Sequence, residues 1–165
     1  MDVLEAIASK RAVRYFTDRP IADEDLRAIL NAGRRAQSSK NTQPWTFIVM
    51  HDRETLRRLS ECGAYAGHLA GAAVGVALLS PGPTGFDLGQ AAAYLQLAAW
   101  DLGIGSCIAS IYEPERARAI LGVPDAYHFD IALSLGHPDP VVARTAAPTG
   151  QGRKPFDDVI RFERW

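Results

Sequence analysis

The segment FDLGQAAAYLQLAAWDLGIG, residues 86–105, constrains the fold more than any other. Alanine and leucine recur there at helical spacing and leave little polar face. The helix they predict is central and buried on most sides. Gly103 is placed to close it as a left-handed C-terminal residue.

Two apolar runs supply the strands. GAAVGVALLS, residues 71–80, is short and bounded by glycine, serine and proline, which reads as a buried strand. Periodicity alone would also fit a buried helical segment. FDIALSLG, residues 129–136, alternates Phe129, Ile131, Leu133 and Leu135 with Asp130, Ala132 and Ser134, which predicts a strand with one apolar face. Residues 45–50, aromatic and β-branched, predict a third strand, entered from a polar loop closed by Pro44.

Helical patterns surround these strands. Asp2 and Glu5 are spaced as a capping box, and Val3, Leu4, Ile7 and Ala8 form the apolar stripe of a first helix. DEDLRAIL carries its acids in the first turn, where the macrodipole favours them, and its helix should end within 33–36. Asp52 can cap a short helix reaching Leu59, and EPERARAILGVP is a helix ended by Gly122 and Pro124. Helices and strands mix without strict alternation, so the fold class is α+β.

At 165 residues the chain fits one domain, 1–165. Its net charge of -1 argues against a nucleic-acid partner. Cys62 and Cys107 make no disulfide framework, no Cys/His spacing suggests a metal site, and nothing resembles a signal peptide. The apolar stretch at 70–79 is too short to span a bilayer, so the expectation is a cytoplasmic protein with no membrane partner. Residues 137–152 show no clear period. The tail that follows carries Phe156, Val159, Ile160, Phe162 and Trp165, which must dock on the chain's own body or on a partner.

One local feature stands out against this ordinary background. In KRAVRYF, Lys10, Arg11 and Arg14 place three cations within five residues, just past the first helix. They suit the negative end of that helix, and they equally suit a phosphate, which arginine holds through paired hydrogen bonds. No GxGxxG fingerprint and no Walker A motif accompany them.

Taken in order, SKRAVRYF, AQSSKNTQPWTFIV, LGIGSCIAS and GRKPFDDVIRFERW resemble the nitroreductase family of FMN-dependent oxidoreductases along nearly the whole chain. The resemblance implies a three-layer sandwich with a mostly antiparallel central sheet. It implies an intertwined homodimer with FMN at the subunit interface, and a tail from about 150 to 165 packed on the partner. By position, Lys10, Arg11, Ala12 and Arg14 match the run that grips the flavin phosphate and ribityl chain. Gln37, Ser38, Ser39, Asn41 and Gln43 match a loop facing FMN from the other subunit. Ile104, Gly105 and Ser106 match the segment by the ring, and Arg153 a second phosphate contact, with Lys154 assisting or simply exposed.

The implied activity is a ping-pong hydride transfer from NADH or NADPH through flavin N5 to a small-molecule electron acceptor. Nitroaromatics, quinones, other flavins and enones are the acceptor classes. No side-chain acid or base is required, and Arg14 is the candidate for stabilising reduced flavin electrostatically. Trp45 and Cys107 read as buried structural residues, and none of the four histidines as catalytic. Tyr65 and His68 fall in a region that varies within the family, where they would face a substrate channel.

Ala12 departs from the family, in which serine is common; losing that hydroxyl costs about 1 kcal/mol of binding. Gln37 stands where proline is common. The chain is also short, lacking a helical excursion that covers the flavin in larger members. A flavin-fragmenting branch needs an acid where Ala12 stands, which counts against it. The alternative function is a non-catalytic flavin-binding or flavin-storage dimer.

Overall fold

The computed structural model describes residues 1–82, 85–145 and 152–165. Its helices are α1 (Val3–Ser9), α2 (Asp23–Gly33), α3 (Arg53–Ser60), α4 (Gly85–Asp101), α5 (Pro114–Leu121), α6 (Pro140–Thr145) and α7 (Phe156–Val159). Its strands are β1 (Thr46–Met50), β2 (Val74–Ser80), β3 (Gly105–Ser110) and β4 (His128–Gly136). Short 3-10 turns lie at Ser39–Asn41 and Gly67–Leu69.

The strands form one sheet in the order β1-β2-β4-β3, each pair antiparallel. Helices cover both faces, which gives three layers. On one face Val74, Val76, Leu78, Leu133 and Leu135 pack with Leu26 and Ile29 of α2 and Leu88, Leu95 and Ala99 of α4. On the other, Met50, Ala77, Leu79, Phe129 and Ala132 pack with Leu56 and Leu59 of α3, Leu69, and Ala117 of α5. β2 is buried along its whole length because it is central and covered on both sides, as its apolar run requires.

Local signals act as expected at several ends. The Asp2 carboxylate accepts from the Glu5 N–H at 2.9 Å, and Asp52 accepts from the Thr55 N–H at 2.8 Å. Gly103 (φ +73°) follows α4, and Gly122 (φ +65°) closes α5.

Four expectations change. The alternation in β4 does not keep one apolar face. The β2–β4 register shifts between Leu78 and Leu79, so Leu78 pairs with Ile131 and Leu79 with Phe129. The extra residue turns Phe129 into the opposite cluster from Leu133 and Leu135. Second, α4 is buried on one side only, through Leu88, Ala91, Ala92, Leu95, Gln96 and Ala99, whereas Phe86, Ala93 and Tyr94 are exposed. Third, the stripe of α1 faces outward: Ala6 is buried, but Val3, Leu4 and Ile7 are exposed. Fourth, part of the stretch without clear period, 137–152, forms α6, capped by the Asp139 carboxylate, which accepts from the Val141 and Val142 N–H groups. Residues 146–151, including the first of the predicted tail, lie outside the described residues. From 152 onward the tail is exposed, with Arg161 5.6 Å from the Trp165 ring.

Candidate functional site

The chain leaves α1 at Lys10 and runs extended across the ends of β3 and β4. Ala12 bridges Ser106 in parallel, and the Val13 N–H donates to the Ser106 carbonyl at 2.9 Å. Further on, the Thr17 N–H donates to the His137 carbonyl at 2.9 Å, and the Asp139 N–H to the Tyr15 carbonyl at 3.1 Å. Arg14 is therefore held between two main-chain anchors, Val13 and Tyr15. Gly105 makes this path possible. A Cβ there would lie 2.7 Å from the Val13 Cβ, closer than side chains pack.

The cations gather here. Lys10 is half-buried, and its amine is held below the ordinary lysine range, first by desolvation and then by the nearby Arg153 charge. The charge of the C-terminal Arg153 is thus felt at the N-terminal cluster. Cys107, buried on β3, has its thiol pushed up by burial, while Arg14 and Lys10 pull it down. It behaves as a small core residue rather than a nucleophile. Among the described residues, none of Lys10, Arg11, Arg14 and Arg153 makes an ion pair with a carboxylate. Cations so placed, with no ion pair among the described residues, fit a doubly charged phosphate, which would relieve their repulsion. Arg11 has one arm already in use. Its Nη1 donates to the Ala8 and Lys10 carbonyls at 2.8 and 2.9 Å, closing the end of α1.

Beside Arg14 opens a cleft of about 590 Å³, lined by Arg14, Tyr15, Phe16, Tyr65, His68 and Asp139 among others. His68 is 8% exposed, and its Nδ1 lies 2.7 Å from the Ser134 hydroxyl on β4. Burial holds the imidazole below its ordinary range, the Ile108 backbone opposes this, and Arg14 adds to it. His68 therefore contributes a neutral wall, and Arg14 the charge.

Ile104 and Ser106 are buried within the chain, so a ligand at this segment would meet backbone rather than their side chains. The buried Ser106 hydroxyl accepts from the Gln96 amide at 3.3 Å. Ala12, where a family serine would stand, is exposed beside this strand.

The polar loop lies elsewhere. Gln37, Ser39, Asn41 and Gln43 are exposed ahead of β1, with Ser38 half-buried and accepting from the Gln43 N–H at 2.9 Å. Lys40 (φ 52°), Asn41 (φ 56°) and Gln43 (φ 48°) all adopt left-handed backbone, which is costly for residues other than glycine. β1 and β3 are opposite edges of the sheet. Three strand spacings separate them, about 14 Å. One chain thus brings 10–14 together with 104–106, with the Arg153 charge felt at Lys10, but sets 37–43 ahead of the strand at the other edge.

Tyr15, Phe16, Ile108 and Asp139 were not among the predicted contacts. The aromatic pair following the basic run was a usable signal. Asp139, inside a stretch without clear period, gave none.

Helices on both faces of an antiparallel sheet, with a basic run laid across one edge, define an α+β sandwich. The model of the nitroreductase family matches residues 7–64 and 84–137, and the chain belongs to that family. A relative in Archaeoglobus fulgidus, named for NADH dehydrogenase or NAD(P)H nitroreductase activity, is 36% identical over 149 residues, covering 83% of this chain and 86% of its own. The NADPH-flavin oxidoreductase of Vibrio harveyi is 26% identical over 159 residues, 84% of this chain and 66% of that one. The solved FMN-dependent nitroreductase of Clostridium difficile superposes with a TM-score of 0.83 at 26% identity, covering 99% of this chain and all of that one. The short length is thus shared with a solved relative. Among the described residues, no helix is long and apolar enough to cross a membrane.

Proposed function

We propose that this chain is an FMN-dependent oxidoreductase that takes hydride from NADH or NADPH and passes it to a small organic acceptor. The carrying observation is that Lys10, Arg14 and Arg153, which act on one another or on the Cys107 thiol through their charge, form no ion pair among the described residues, with Arg14 lining a cleft large enough for a ring. Names of relatives that specify FMN, flavin or NAD(P)H support the same reading.

Bound FMN would supply the chemistry, accepting hydride at N5 from one substrate and giving it up to the next in ping-pong order. The protein's part is to bind and orient. Lys10, Arg11, Arg14 and Arg153 would hold the phosphate and ribityl end of FMN, and Arg14, which lines the cleft, would also lend positive charge toward the ring. The backbone at Ile104, Gly105 and Ser106 approaches the ring. Gln37, Ser38, Ser39, Asn41 and Gln43 reach the flavin from a second copy in a homodimer, since their own edge is too distant. The exposed faces of α1 and α4 and the tail supply the apolar surface for that dimer.

The test is the visible spectrum of the protein loaded with FMN and freed of excess. Retained flavin bands are expected. An Arg11→Ala, Arg14→Ala double variant that keeps its far-UV circular dichroism should bind FMN at least about a hundredfold more weakly, because two charge-assisted contacts are lost. Bands retained by a chain that oxidises neither NADH nor NADPH with any acceptor would favour the storage alternative instead.

A further inference from the structure

The buried side of α4 is made of Leu88, Ala91, Ala92, Leu95 and Ala99, with one polar member, Gln96. Its amide donates to the Ser106 hydroxyl at 3.3 Å, and both residues are buried. Further along the same helix, the Trp100 indole N–H donates to the Ser9 hydroxyl at 2.9 Å. That hydroxyl donates in turn to the Glu5 carbonyl at 2.7 Å, within α1. Positions 96 and 100 are four apart, so the two side chains lie on successive turns of one helix face.

Their partners bracket the basic run. Ser9 is the last residue of α1, directly before Lys10. Ser106 is the residue that Ala12 bridges, and its carbonyl accepts from the Val13 N–H. The run is therefore tied at both ends to α4, which is itself fixed in the core through Leu88, Leu95 and Ala99. An amide and a hydroxyl buried together add little net stability over two apolar groups of the same shape. They do fix position, because a hydrogen bond has a preferred distance and angle and apolar contacts do not. Lys10, Arg11 and Arg14 form no ion pair among the described residues, so their mutual repulsion opposes a shared anion unless the backbone is held. The Asp139 carboxylate lines the cleft with Arg14, and its Oδ1 accepts from the Val141 and Val142 N–H groups.

We propose that Gln96 and Trp100 are positioning residues, holding the basic run from its two ends so that Lys10, Arg11 and Arg14 meet one phosphate. The proposal rests on the flavin reading above. It goes beyond it by naming two side chains outside the contact set that govern the phosphate grip.

The test uses the whole chain and two readouts. In calorimetric titration, FMN is compared with riboflavin, which has the same ring and ribityl chain and no phosphate. Gln96→Leu and Trp100→Phe, which keep apolar bulk, should each weaken FMN by about three- to tenfold, the range of one neutral hydrogen bond, and leave riboflavin unchanged. Gln96→Leu combined with Ser106→Ala removes both members of the buried pair, so it serves if the single variant does not fold, and should show the same loss. In hydrogen exchange of the flavin-free chain, the Val13 amide should exchange faster in Gln96→Leu and the Lys10 amide in Trp100→Phe, with the amides of β2 unchanged. FMN and riboflavin weakened alike, or faster exchange throughout the chain, would assign both side chains to general stability and overturn the proposal. Unchanged FMN affinity would overturn it as well. A chain that binds neither flavin would defeat the flavin reading, and exchange at Val13 and Lys10 would still decide whether Gln96 and Trp100 hold the run.

Discussion

The two edges of the sheet are built on opposite terms. At the β3 edge, residues 12–17 are tied to the sheet and to the 137–139 segment by main-chain hydrogen bonds, and a glycine is spent to let Val13 in. At the β1 edge, residues 37–43 present exposed polar side chains on left-handed backbone, held locally by the Ser38 hydroxyl. The first edge is anchored before any ligand arrives. The second carries local strain in its left-handed residues, which the proposed dimer would put to use in the partner's site. In the function proposed above each edge would hold one half of a flavin contact set, and the two edges lie on opposite sides of the sheet. A second copy would resolve this by placing one chain's β1 edge beside the other's β3 edge.

The largest test of that contrast is complementation. Arg14→Ala and Asn41→Ala chains, each weakened in flavin binding when alone, should regain FMN when unfolded together and refolded as a mixture. A mixed dimer then has one site with both halves intact, so about a quarter of all sites should recover, half of those in each mixed dimer (random pairing makes half the dimers mixed). Flavin retention counted by absorbance reads this directly. Recovery of none would mean that both halves serve one chain, which would break the comparison.

Gly105→Ala comes next. The added methyl meets the Val13 side chain at 2.7–2.8 Å, so the 12–14 segment must shift. A loss of about 1–3 kcal/mol is expected, read as a lower denaturation midpoint. Gly71→Ala, with open space around it, should be tolerated. Equal behaviour of the two would show that the β3 edge is not packed as tightly as described.

The smallest effect concerns pH. Burial lowers the His68 pKa in the folded chain, so the unfolded chain binds the proton more readily. Its contribution to stability is complete above about pH 6.5, the unfolded value, and is lost as pH falls below it. His68→Gln should flatten the melting temperature against pH in that range. An unchanged slope would assign the acid sensitivity to other groups.

Much of this was legible in the residues. The apolar run at 74–80, the Asp2 and Asp52 caps and the closing Gly122 are local signals with local outcomes. The basic run and the polar loop could be picked out by motif. What no local signal carries is the bulge that sends Phe129 to the other face, because it depends on pairing with β2. The exposed faces of α1 and α4 escaped for a related reason. Amphipathic or apolar patterning says that a face is to be covered, and does not say by which chain. The cleft was half legible: Arg14, Tyr65 and His68 were noted, whereas Asp139 joins them only through the backbone bond to Tyr15.

The parallel bridge from Ala12 to Ser106 has a consequence for solubility. β3 is an edge strand, and a free edge recruits strands from other molecules. The segment that positions Arg14 also occupies the beginning of that edge. Anything that pulls residues 12–14 away, whether substitution or proteolysis of the N-terminus, would uncover edge backbone at the same moment as it displaced Arg14 from the proposed flavin site. Poorly assembled chains would then be removed by aggregation and turnover rather than persist as inactive protein.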